Sequence, residues 1–155
     1  MSIKKKFFIE ISTTCLLFVA VIWMMFQPLM SSYLDGVLGK GPIYVYGISF
    51  LYEFGAQGVL VVAFPFLLML VVVLDIASNR KVWICYFLTF VSLLAYARSL
   101  GYARQWLCTE VSWAFQYYVW ASIYPVLMIV FAALVVFWIY QNDEEEYAEE
   151  EEEVV

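Results

Sequence analysis

The chain contains no histidine. That absence removes the commonest general base, proton shuttle and haem or zinc ligand together. Membrane hydrolases and phosphatases usually rely on histidine, so their chemistry is not expected here. Cysteine is scarce: Cys15, Cys85 and Cys108 are too few for a disulfide framework. No Cys-x-x-Cys pair is present, so a quinone-linked thiol oxidoreductase would lack its dithiol. The three thiols read as small apolar packing groups. Glycine-rich phosphate loops, serine-based triads and metal-ligand spacings are also missing. An enzyme, a bound metal and a cofactor are therefore not expected.

Charge is sparse as well, at 14% of residues. The net charge of −6 is uneven, because Asp143–Glu146 and Glu149–Glu153 hold nine of the fourteen acidic residues. The remainder carries eight Lys/Arg against five Asp/Glu and no large basic face, so nucleic acid is not an expected partner.

What fills the chain is apolar sequence, 65% of 155 residues. Four runs, Phe7–Phe26, Gln57–Ala77, Val82–Tyr102 and Trp113–Tyr140, are each long enough to cross a hydrocarbon core of about 30 Å as a helix. Lys4–Lys6 before the first run suggest a signal peptide, but the run is long for one and no small-residue cleavage site follows. It reads as a retained span. The expected fold is an all-α membrane protein, an antiparallel bundle of four transmembrane helices. Residues 1–140 form the bundle, and 141–155 form an acidic tail whose mutual repulsion predicts disorder.

Lys4–Lys6 precede the first span and Arg80–Lys81 lie in the short turn between the second and third, and the positive-inside rule places both in the cytoplasm. Both termini are then cytoplasmic, and the plasma (inner) membrane is the expected location. The longest outer connection, 27–56, contains apolar positions at Ile43, Tyr46, Gly47, Phe50, Leu51 and Phe54, the spacing of one helical face. A short interfacial helix starting near Pro42 accounts for them.

The last run carries Trp113, Tyr117, Trp120 and Tyr124 at steps of four, three and four, one aromatic stripe if this part is helical. Pro125 should kink that helix near mid-membrane. Charges inside a bilayer are costly and mark candidate functional positions. Glu10 lies four residues after Lys6 and can pair with it, or serve as a proton- or cation-binding carboxylate. Arg98 and Arg104 are six residues apart and leave a helix on different faces, unless the helix ends between them, as Gly101 permits. Both can snorkel to outer-leaflet phosphates, and Arg98 can instead turn inward to Glu53 or Glu110.

The function expected from these residues is non-catalytic: a small polytopic protein that binds another membrane protein, as an accessory or assembly subunit or as an immunity or exclusion protein. Phe50, Trp113, Tyr117, Trp120 and Tyr124 are the candidate partner contacts. The alternative is one protomer of an oligomeric ion or small-solute transporter or channel, with Glu10, Gln116 and Arg98 along a shared cavity. Expected partners are the lipid bilayer and either another membrane protein or further copies of this chain.

Overall fold

The computed structural model describes residues 3–34, 42–109 and 112–154. The chain is mostly helical. Helix α1 covers Ile3–Met24, α2 Phe50–Glu53, α3 Gly55–Val73, α4 Ser78–Thr109 and α5 Trp120–Val154. Three apolar stretches, Gly55–Val73, Ser78–Gln105 and Trp120–Glu144, are long and apolar enough to cross a membrane. Even the shortest rises about 28 Å. The apolar part of α1, Ile11–Met24, is shorter. It packs mainly on α5, while α3 packs on α4 and α4 on α5.

Val21, Phe64, Leu68, Met128, Phe131 and Val135 form the centre of the packed interior. Many large apolar side chains face outward instead, Phe8, Phe66, Phe87, Phe90 and Phe137 among them. Apolar residues on both the inside and the outside of a helix bundle suit a lipid surround, because the hydrocarbon does not drive them inward.

The connections between helices depart from an all-α fold. Strands β1 (Pro28–Leu34), β2 (Pro42–Tyr46) and β3 (Ser112–Tyr117) form an antiparallel sheet in the order β2-β1-β3. The expected helix from Pro42 is therefore a strand, followed by a 3-10 turn over Gly47–Ser49 and only one turn of α-helix. Pro-Ile-Tyr-Val-Tyr is rich in β-branched and aromatic residues, and short apolar runs satisfy either periodicity. Pairing with β1 decides between them.

The last apolar run is corrected in the same way. It is a strand up to Tyr117, and helix begins only at Trp120. Pro125 consequently lies about 7 Å into α5. By contrast, α4 is longer than expected and passes through Gly101 without ending.

Gly55, the first residue of α3, has a φ of +61°, a conformation that side-chain-bearing residues rarely adopt. One turn later α3 passes so close to α2 that a Cβ on Gly58 would collide with the Phe50 carbonyl. The sheet sits at the end of the bundle where α1 and α4 finish and α3 and α5 begin. At the other end the Ser78 hydroxyl donates to Asp143 Oδ1 at 3.0 Å, joining the start of α4 to the acidic part of α5. That acidic part continues as helix to Val154. Glutamate is a good helix former, and extending an existing helix avoids the cost of nucleation.

Candidate functional site

Two surface features and one buried network place polar or aromatic groups in defined geometry. The first is the sheet. Met30 and Val45 are cross-strand partners and both are buried, so their face packs on the helices. Alternation along the strands turns Ser31 and its partner Tyr44 to the opposite face. Tyr46 follows two residues later on that face. The rings of Tyr44 and Tyr46 lie 6.3 Å apart, and Tyr44 lies 6.5 Å from Tyr118. The Ser31 hydroxyl, covered by these rings, donates to Tyr118 Oη at 3.3 Å. Tyr118 is held in turn by its main-chain N–H, which donates to the Leu29 carbonyl. The result is a row of three tyrosines facing away from the helices, with Tyr44 42% and Tyr46 37% exposed.

The second feature is a cleft of about 320 Å³ between α3 and α4. Val91, Leu94, Ala95 and Arg98 line it from α4, at the i, i+3, i+4 and i+7 positions of one face. Ala56, Gln57 and Leu60 line it from α3. Ala56 and Ala95 are too short to fill the gap between the helices. Arg98 is exposed, and its Nε and Nη2 donate to Tyr102 Oη at 3.3 and 3.1 Å. Its guanidinium also lies 5.5 Å from the Tyr102 ring centre, within cation–π range.

The buried network lies between α4 and α5. Tyr96 and Tyr124 stack at 5.1 Å, with planes 23° apart, and Phe50 closes on Tyr96 at 6.0 Å. The Tyr96 hydroxyl donates to the Ala121 carbonyl. Ser92 and Ser99 continue the same face of α4 and are fully buried. Their hydroxyl oxygens, Tyr124 Oη and Gln57 Oε1 have no hydrogen-bond partner among the described residues.

The expected contact residues divide accordingly. Phe50 is 0% and Tyr124 1% exposed, so both are interior groups and neither offers a surface to a partner. Helical spacing puts Tyr124 on one stripe with Trp113, Tyr117 and Trp120; the change from strand to helix between Tyr117 and Trp120 removes that stripe. Tyr117 is about half exposed at the end of β3. Trp120 is half-buried and meets Trp23 edge-on at 5.6 Å. Trp113 belongs to β3, and its side chain lies outside the described residues, as do the side chains of Glu10, Glu53, Glu110 and Gln116.

Arg98 and Arg104 are both exposed on a continuous α4 and form no common clamp. Sequence reasoning names Tyr46 only as part of a helical face and does not bring Tyr44, Tyr46 and Tyr118 together. Their usable signal is the Tyr-x-Tyr alternation of 44–46, which the helical reading of 43–54 obscured. Among the described residues no group of three or more Cys, Asp or Glu side chains comes together as a metal site would need. Comparison with known protein families, curated proteins and solved structures gives no match for this chain.

Proposed function

We propose that this is a non-catalytic integral membrane protein that binds another membrane protein through the tyrosine face of its sheet. The three long apolar helices and α1 are read as four spans, with both termini cytoplasmic and the sheet on the outer side. Lys4–Lys6 and Arg80–Lys81 then lie on the inner side, as the positive-inside rule requires. An accessory, assembly, immunity or exclusion role fits this reading.

The observation that supports it is the row Tyr46–Tyr44–Tyr118. Tyrosine is enriched where proteins meet, because a rigid ring gives contact area at small entropic cost and its hydroxyl tolerates water. An aromatic belt sits around the rim of a bundle at the headgroups. A sheet face turned away from the helices is not required for anchoring.

The test places a photo-crosslinking residue at position 44 or 46, and at Phe90 and Tyr147 as controls on the helix flank and the acidic segment. The reading expects a discrete heterologous adduct from the sheet positions, lost when the other tyrosine of the pair is changed to serine. Adducts only from position 147 would transfer recognition to the acidic end and defeat the proposal.

A second reading, a transporter or channel protomer, is supported by the buried Ser92, Ser99 and Tyr124 oxygens inside the bundle, which have no partner among the described residues. Such groups are expensive in a bilayer unless a polar solute or water uses them. Ion flux into liposomes containing the purified protein separates the two readings.

A further inference from the structure

From Arg80 to Arg98, α4 rises about 27 Å, close to the thickness of a hydrocarbon core. With Arg80 at one headgroup layer, Arg98 reaches the other, at the sheet end of the bundle. From there the cleft runs down the α4 face to Val91, about 10 Å along the helix. Its walls are apolar below Arg98 and Gln57, since Leu60, Val91, Leu94 and Ala95 complete them. A cation therefore stands at the mouth of an apolar slot that starts at headgroup depth.

The guanidinium is also oriented. Tyr102 accepts from Nε and Nη2 and lies beneath the charge, which limits the rotamers open to Arg98. Among the described residues nothing else contacts the outer edge of the fork, which suits paired oxygens, the geometry that phosphate supplies. No carboxylate among the described residues neutralises it. Charge and shape together specify an amphiphile with an anionic head and a hydrocarbon chain.

We infer that the α3–α4 cleft is a binding site for one anionic phospholipid of the surrounding bilayer, its phosphate on Arg98 and one acyl chain between Ala56 and Ala95. This inference rests on the membrane-embedded part of the reading above and is independent of the tyrosine face. Snorkelling alone would put Arg98 among phosphates without selecting a lipid; the cleft adds a place for the chain, and hence retention of a particular molecule.

The test is native mass spectrometry of the full chain in detergent, titrated separately with phosphatidylglycerol and phosphatidylcholine. The parent protein should retain one phosphatidylglycerol in preference to phosphatidylcholine. Arg98→Gln should weaken that retention roughly tenfold, the size expected for loss of a charge-assisted contact. Ala56→Phe, at an exposed position that fills the slot from α3, should weaken it for both lipids. Arg104→Gln, outside the cleft, should leave it unchanged.

Thermal unfolding of each variant in the same detergent identifies any that has lost its fold; Arg98→Lys then serves as the conservative substitute and should recover part of the preference. Equal retention of the two lipids by the parent, undiminished retention by Arg98→Gln or Ala56→Phe, or an equal loss in Arg104→Gln would overturn the site. Failure of the protein to partition into membranes would instead overturn the embedding itself, and that result is seen before any lipid is added.

Discussion

The Tyr96 hydroxyl donates to the main-chain carbonyl of Ala121 at 2.6 Å, inside the bundle. In a regular helix that carbonyl would accept from the N–H four residues later. Residue 125 is proline and has none. The phenol from α4 thus replaces the missing backbone donor of α5, and the proline gap becomes a joint between two helices.

Tyr96→Phe removes the substitute donor and leaves a buried carbonyl unpaired. We expect a loss of about 1–3 kcal/mol in stability, read by thermal or denaturant unfolding in detergent. Pro125→Ala restores an N–H that can reach Ala121, so adding it should cancel part of the Tyr96→Phe loss. A double-mutant cycle with no coupling would show that the bond carries no net energy.

Phe50 is enclosed by Phe54 at 5.3 Å and Tyr96 at 6.0 Å. Phe50→Ala should therefore reduce the yield of folded protein, with a cost of about 3–5 kcal/mol if the site cannot collapse. Tyr44→Ser, on the exposed face, should leave yield and melting temperature nearly unchanged. Size-exclusion profiles and melting temperatures compare the two directly.

Two glycines make opposite predictions. Gly58→Ala forces α3 away from the Phe50 carbonyl and should destabilise clearly, by more than about 1 kcal/mol. At Gly101, within α4, an added Cβ meets nothing within 4 Å. Gly101→Ala should be neutral or stabilising, by up to about 1 kcal/mol, from helix propensity alone. Melting temperatures of the two variants should fall on opposite sides of the parent or, at the least, differ in that order.

Orientation is open to cysteine labelling in a background where Cys15, Cys85 and Cys108 are replaced. Tyr52→Cys, highly exposed beside the sheet, should react with an impermeant thiol reagent from outside intact cells. Glu150→Cys, in the acidic part of α5, should react only after permeabilisation. The reverse pattern would invert the proposed topology.

Apolar length was legible in the sequence because a membrane-spanning helix must satisfy its own backbone hydrogen bonds over a known thickness. The runs 57–77 and 82–102 needed only local counting, and each corresponds to a long helix; of the run 113–140 only the part from Trp120 is helical. The positions of Arg98 and Arg104 on separate faces followed from helical rotation. The connections obeyed no such local rule. Residues 43–54 fit a helical wheel and a strand alternation alike, and so did 113–124, where the stripe was drawn across a strand and a helix.

The sequence by itself determined where the chain is apolar enough to be helical and how its charge is divided. Tertiary structure alone decided the sheet, because β1 meets β3 only when residues 28–34 and 112–117 are brought to one end of the bundle. It also decided which aromatics are surface and which are core: Phe50 and Tyr124 went inside, while Tyr44 and Tyr46 stayed out. The physical reason is range. Helices close their hydrogen bonds within four residues, whereas strand pairing, the Tyr96–Ala121 joint and the α3–α4 cleft all depend on groups far apart in the chain.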